Sequence, residues 1–194
     1  MSYDLVTREA IRPGDLICRW TDDAVGFWIR VATKGRWNHD AIVVRHEGRL
    51  KIGDALMKSG CQLTEITEWE RLCFEKRIRI IVLRPTFATP EQGELAAQWW
   101  LDHVRGHDYD RVAIWRLGLK WLVGDWLSGK VGLESNFFCT EGVRDAWQKG
   151  GKINPWWPET NPTPGTTFKR FKVGTLVEVM DSLTEAGKNY RINV

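Results

Sequence analysis

Short apolar runs broken by turn residues fill the first half of the chain and predict a β-rich N-terminal region. Strands are predicted just after the Pro-Gly-Asp turn at 13–15 and over residues 39–45, 49–56 and 62–66. Glu47-Gly48 stands between the second and third of these strands, where a hairpin turn belongs. Residues 76–83 alternate and then become wholly apolar, which is typical of an interior strand.

The spacing of apolar residues changes to that of helices along the rest of the chain. Helices are predicted over residues 24–33, 67–72, 90–103 and 137–148, and residues 111–127 are tryptophan-rich and broadly helical. The last helix is expected to stop at Gly150-Gly151, and a final strand is predicted over residues 175–180. The pattern favours an α+β fold in which helices pack on an antiparallel sheet.

Length and charge narrow the class of protein. A chain of 194 residues fits one domain, residues 1–194, and its net charge of +3 is too weak to argue for a nucleic-acid partner. No apolar run approaches membrane-spanning length, and no secretory signal is visible, so an integral membrane segment is not expected. The cytoplasm is the default location, while export by phage lysis or a secretion apparatus stays open.

Cys139 is the candidate nucleophile. It falls in the first turn of the helix predicted over residues 137–148, where free N–H groups and the helix dipole stabilise a thiolate. The chain has four cysteines without C-x-x-C spacing, and free thiols are expected. A buried, inert thiol is the commoner role of a single cysteine, so the activation of Cys139 depends on a nearby base.

His39 and Asp54 supply the other two parts of a catalytic site. His39 opens one strand of the predicted hairpin and Asp54 lies on the other, each about seven residues from the Glu47-Gly48 turn. Cross-strand neighbours are close enough for a carboxylate to orient an imidazole. If the Cys139 helix packs on this sheet, a Cys–His–Asp arrangement follows.

The order of four short motifs resembles that of a known enzyme family. The motifs are Pro-Gly-Asp-Leu-Ile at 13–17, Trp-Asn-His-Asp-Ala-Ile-Val-Val at 37–44, Ile-Gly-Asp-Ala at 52–55 and Phe-Cys-Thr-Glu-Gly-Val at 138–143. They are similar to motifs of the circularly permuted NlpC-like cysteine peptidases, the YiiX-like branch of the papain fold, which are distantly related to lecithin:retinol acyltransferases. The similarity spans about residues 13–147.

This resemblance implies a permuted papain-like domain with Cys139 as nucleophile at the N-terminus of a late helix. His39 matches the general base and Asp54 the orienting residue, although the family often has Glu at that position and Ser where this chain has Asn38. The backbone N–H of Cys139 would be the oxyanion-hole donor. Tyr109 matches a G-x-x-Y-D segment, and Tyr109 and Trp37 are expected to line the substrate cleft.

Trp156 and Trp157 lie in a proline-rich segment, residues 154–165, which is predicted to be a surface loop. Adjacent exposed aromatics usually contact a ligand or partner. We therefore expect both tryptophans to bind substrate as part of a lid over the cleft.

The resemblance implies a cysteine hydrolase that cleaves an amide or peptide bond without cofactor or metal. Cell-wall peptide (peptidoglycan) is a natural substrate in the bacterial or phage setting of the family. A lipid acyltransferase or thioesterase, with residues 115–126 as a membrane-surface helix, and a non-catalytic binding module are the alternatives. His103 and His107 are four residues apart, but Gly106 interrupts the helix that would align them, which disfavours a metal site.

Overall fold

The computed structural model describes residues 11–33, 35–76, 79–109, 139–156, 162–164, 167 and 176–181. Within these ranges six strands form one antiparallel sheet in the order β4-β3-β2-β1-β5-β6. The strands are β1 (Leu16–Trp20), β2 (His39–His46), β3 (Arg49–Leu56), β4 (Gly60–Glu65), β5 (Arg79–Pro85) and β6 (Leu176–Asp181). The α+β class and the antiparallel sheet predicted from the sequence are confirmed.

Four α-helices accompany the sheet in the described part of the chain. They are α1 (Ala24–Thr33), α2 (Ile66–Lys76), α3 (Pro90–His103) and α4 (Cys139–Asp145), and α4 continues into a π-helical turn, Ala146–Gly150. Thr89 caps α3: its side chain accepts a hydrogen bond from the backbone N–H of Gln92, and the Gln92 side chain accepts one from the N–H of Thr89. None of the helices in the described ranges is long and apolar enough to cross a membrane.

The turn between β2 and β3 sets the register of the central hairpin. Glu47 and Gly48 both have positive φ, 52° and 74°, as a two-residue hairpin turn with the right-handed strand twist requires. The resulting register pairs Ile42 with Gly53. Continued by one residue, it sets Ala41 opposite Asp54, so that His39 is the diagonal neighbour of Asp54 and not the directly opposite residue that the turn spacing predicts.

The two faces of the sheet carry different side chains because successive residues of a strand point to opposite sides. One face, which we call the helix face, is covered by α3, α4 and the π-helical turn. Its strand residues include Leu16, Cys18, Ile42 and Ala55. Gly53 also belongs here: a Cβ atom at this residue would lie 2.8 Å from the ring of Trp100, so the glycine lets α3 approach the sheet.

We call the opposite side of the sheet the Trp69 face. Its core joins Trp69 of α2 to aliphatic strand residues, which are Ile17, Ala41, Val43, Ile52, Ile80 and Val82. Ile80 to Leu83 are all buried in β5, which lies between β1 and β6, as the prediction of an interior strand requires. Polar residues are buried where β2 begins: His39 and Asp54 on the Trp69 face, and Asp40 on the helix face.

Candidate functional site

His39 and Asp54 form a buried pair on the Trp69 face. The Nε2 atom of His39 is hydrogen-bonded to Oδ1 of Asp54, and the two residues are 7% and 1% exposed. The hairpin register brings the first residue of β2 and the sixth of β3 to the same side of the sheet. This contact uses one ring nitrogen and leaves Nδ1 of His39 for another partner.

Arg19 and Trp69 complete the surroundings of the pair. The guanidinium of Arg19 lies 5.0 Å from the centre of the Trp69 ring and 4.0 Å from Oδ2 of Asp54. The rings of His39 and Trp69 are 6.5 Å apart. The Asp54 carboxylate therefore faces two cationic or potentially cationic groups inside an apolar wall.

The electrostatic balance at His39 favours its protonated form. Burial lowers the pKa of His39, and the Arg19 charge lowers it further, but the Asp54 carboxylate and the charge of Cys139 outweigh both and raise the pKa to about 9. The imidazolium is then the main form of His39 at neutral pH.

Cys139 is the first residue of α4 as the structure describes it, and it is 2% exposed. Its Sγ atom lies 3.9 Å from Oγ1 of Thr140, and its side chain packs in the core of the helix face. Cys139 is close enough to His39 for its charge to raise the pKa of that residue. Within the described part of the chain, however, no hydrogen bond joins Cys139 to His39.

The structure thus brings two of the three predicted catalytic residues into contact. His39 and Asp54 lie together on the Trp69 face, whereas Cys139 packs from the helix face at the same end of the sheet. The catalytic roles of these three residues stay predictions.

Two other cysteines offer a comparison with Cys139. Burial, with a smaller contribution from the Asp40 charge, raises the pKa of Cys18 well above its ordinary value. Burial likewise raises the pKa of Cys61 to about 12, with smaller contributions from Asp54 and Asp108. Both thiols therefore stay protonated at neutral pH and are poor nucleophiles.

The aromatic residues predicted to bind substrate are mostly in the core. Trp37, Tyr109 and Trp156 are 2%, 6% and 0% exposed, and Trp157 lies outside the described residues. The predicted exposure of Trp156 is therefore wrong. Its indole Nε1 donates a hydrogen bond of 2.9 Å to Oγ1 of Thr167, which gives the polar tip of the ring a buried partner. Substrate binding by these residues stays a prediction.

Asp40 is a polar residue at the site that was not predicted from the sequence. It is 1% exposed and points to the helix face, away from its neighbour His39. The hydroxyl groups of Thr140 and Thr167 both donate hydrogen bonds to its Oδ2 atom, at 2.9 and 2.8 Å. The only sequence signal is an acidic residue within an apolar strand, a position where a charged side chain needs buried partners.

The described residues offer no evident metal site. Among them, no group of three or more His, Cys, Asp and Glu side chains could hold a metal ion. His103 lies in the last turn of α3, its ring stacks on Trp99 at 4.6 Å, and its Nδ1 atom is hydrogen-bonded to the Trp99 carbonyl at 3.0 Å. The residues proposed from the sequence as a membrane-surface helix, 115–126, lie outside the described residues.

Comparison with known proteins shows the fold. No family model matches the sequence, and no curated protein matches it. Among solved structures, the chain is similar to the metalloprotein YiiX from Escherichia coli O157:H7, with 16% sequence identity and a TM-score of 0.54 over 84% of each chain. The chain therefore has a YiiX-like α+β fold.

Proposed function

We propose that this protein is a thiol hydrolase of circularly permuted papain-like fold, comprising residues 1–194, that cleaves an amide or peptide bond. The observation that carries the proposal is the buried His39–Asp54 pair. Cys139 is near enough to His39 for the two residues to interact electrostatically. The motif order along the chain supports it, because the histidine strand precedes the cysteine helix. Peptide from the cell wall is the substrate that the resemblance favours.

The proposed first step uses His39 as an acid. In the proposed mechanism Cys139 reacts as a thiolate beside the His39 imidazolium, and its sulfur attacks the carbonyl carbon to form a C–S bond. The backbone N–H of Cys139 stabilises the oxyanion. His39 then gives its proton to the amine nitrogen as the C–N bond breaks, which leaves a thioester and a neutral imidazole.

The second step restores the enzyme. Neutral His39 takes a proton from water, the hydroxide attacks the thioester carbon, and the C–S bond breaks to release the acid and the thiolate. Asp54 keeps the imidazole in one orientation throughout and stabilises its charged form. The proposed mechanism uses these side chains alone.

The proposal includes a change on substrate binding. Catalytic hydrogen bonds of free enzymes are often long and shorten only in the substrate complex. We propose that Nδ1 of His39, which is not used by Asp54, meets the Cys139 sulfur in that complex. The packing of Cys139 at the same end of the sheet as His39 supports this.

Site-resolved alkylation tests the proposal. Iodoacetamide is added at pH 6.5, and mass spectrometry follows the labelling rates of Cys139, Cys18, Cys61 and Cys73. Because Cys139, Cys18 and Cys61 are similarly buried, at 2%, 0% and 3% exposed, a difference in their rates reports the thiolate fraction. We expect Cys139 to react at least about tenfold faster than the others.

The matched variant is His39→Ala, in which this advantage of Cys139 should disappear while the fold, checked by circular dichroism, persists. Equal labelling of Cys139 and the other cysteines in the wild-type protein would overturn the proposed function and leave a non-catalytic binding module as the better description.

A lipid acyltransferase or thioesterase is a second candidate, favoured by the surface of α1. Val25, Phe27 and Trp28 are 39%, 52% and 58% exposed on this helix. Neighbouring exposed aromatics are typical of helices that lie at a bilayer surface. Co-sedimentation with anionic liposomes should be lost in the Phe27→Ser, Trp28→Ser double variant if this candidate is right; absence of wild-type binding argues for a peptide or amide substrate.

A further inference from the structure

The carboxylate of Asp40 joins three distant parts of the chain at one oxygen atom. Thr140 and Thr167 both donate to Oδ2, from 100 and 127 residues away, and Thr167 in turn accepts a hydrogen bond from the indole of Trp156. Asp40, Thr140, Thr167 and Trp156 are each no more than 1% exposed. We call these four residues the Asp40 cluster.

The Asp40 cluster is adjacent in sequence to both proposed reacting groups. Asp40 follows His39 on β2, and Thr140 follows Cys139 on α4. The hydrogen bond from Thr140 to Asp40 therefore ties the first turn of α4 to the start of β2. Cys139 is bonded directly to Thr140, and His39 is bonded directly to Asp40. The length of the Thr140–Asp40 hydrogen bond therefore limits how far Cys139 can lie from His39.

We propose that Asp40 is a positioning residue which, through Thr140, sets the separation of Cys139 and His39. This inference rests on the proposed function, because a separation matters only if the two groups react together. Asp40 does not contact substrate in this scheme. Its acceptor oxygen orients the helix, and helix orientation decides whether the sulfur reaches the imidazole.

A carboxylate suits this task better than an apolar residue. A hydrogen bond fixes both distance and direction, whereas apolar contacts permit sliding. An unpaired buried hydroxyl is also costly, so the cluster resists being pulled apart. The two hydroxyl groups both bind Oδ2, and the Cys18 thiol is a further polar neighbour of the carboxylate.

The test removes the bond to α4 without removing volume. Thr140→Val replaces the hydroxyl by a methyl group, and Thr140→Ser retains the hydroxyl. Iodoacetamide labelling of Cys139 is measured at pH 6 and pH 9. The ratio of the two rates is the informative quantity, because loss of the imidazolium neighbour slows labelling at pH 6 more than at pH 9.

We expect Thr140→Val to reduce the ratio at least about fivefold and Thr140→Ser to keep it within about twofold, since the fold-change follows the lost thiolate at low pH. Thr64→Val is the matched control: the Thr64 hydroxyl is buried and makes no hydrogen bond within the described structure. This control should leave the ratio unchanged even if it changes the melting temperature.

The outcomes separate the two proposals. An unchanged ratio in folded Thr140→Val, with selective Cys139 labelling in the wild type, overturns the positioning role alone. Absence of selective labelling in the wild type overturns the proposed function. If Thr140→Val does not fold, Asp40→Asn is used: its side-chain oxygen still accepts both hydroxyls, so a ratio near that of the wild type is expected, and a fivefold fall contradicts positioning by hydrogen bonding.

Discussion

Asp40 and Asp54 are both buried carboxyl groups near one end of the sheet, yet they have opposite surroundings. Asp54, on the Trp69 face, pairs with His39 and lies 4.0 Å from a nitrogen of Arg19. Asp40, on the helix face, accepts hydrogen bonds from two neutral hydroxyl groups. Charged or potentially charged groups stabilise the Asp54 carboxylate, whereas neutral hydroxyl groups stabilise that of Asp40.

This difference decides which group has its pKa raised: His39 on the Trp69 face and the Asp40 carboxyl on the helix face. The charge of Asp54 opposes the effect of burial on His39 and raises the pKa of that residue to about 9. At Asp40 the described residues place no cation in direct contact, and burial raises the pKa of the carboxyl itself despite the hydrogen bonds from Thr167, Cys18 and Thr140 and the charge of His39. The first environment prepares a proton donor, whereas the second holds chain segments together.

Removal of Asp54 should have the largest effect on stability. Asp54→Ala leaves His39 and Arg19 close together without their shared carboxylate, and breaking a buried ion pair in this way costs about 3–5 kcal/mol. Urea unfolding at pH 7 measures the loss. A cost below about 1 kcal/mol would contradict the ion-pair description of the Trp69 face.

The pH dependence of stability should carry the signature of His39. Its pKa in the folded protein is about 9, above the ordinary value of 6.5. The folded state therefore holds the proton more tightly, so the stabilisation is complete below pH 6.5 and is lost as the pH rises through 9. A shift of this size corresponds to about 3 kcal/mol.

Urea unfolding at a series of pH values between 6 and 10 measures this loss, and His39→Gln should remove most of it. A wild-type stability that does not fall over this range would show that His39 is not held as an imidazolium.

Removal of Asp40 should cost less than removal of Asp54. Asp40→Ala removes the shared acceptor of two buried hydroxyl groups but strands no charge, and such a loss is worth about 1–3 kcal/mol. The midpoint of urea unfolding, compared with that of Asp54→Ala under the same conditions, gives the difference directly. An equal or greater loss of stability for Asp40→Ala would contradict the claim that the charged partners of Asp54 contribute more to stability than the hydroxyl partners of Asp40.

Local patterns in the sequence predict most of the fold. The hairpin turn at Glu47 and Gly48 fixes the register over the few residues that separate His39 from Asp54, and for this reason their contact was predictable. The period of α3 and its Thr89 cap are equally local, and the observed helix, Pro90–His103, matches the predicted range. The predicted helix over 137–148 instead ends in a π-helical turn that reaches Gly150.

Partners that are distant in the chain were not predictable. The hydroxyl groups that Asp40 binds lie 100 and 127 residues away, and no local spacing links them to β2. The burial of Trp156 was missed for the same reason, since its partner Thr167 is identified only by the folded arrangement. The contact between Cys139 and its surroundings likewise depends on how α4 packs, which a single sequence does not fix.

The order of the elements also has a consequence for synthesis on the ribosome. Strands β1 to β5 lie within residues 16–85, so five neighbouring strands are made before α3 and long before α4. Until those helices emerge, the helix face of a nascent sheet would present bare apolar side chains, a state prone to aggregation. We expect chaperones to bind chains stalled near residue 85 because the helix face is exposed. They should dissociate once the chain has been synthesised beyond Thr140 and Thr167.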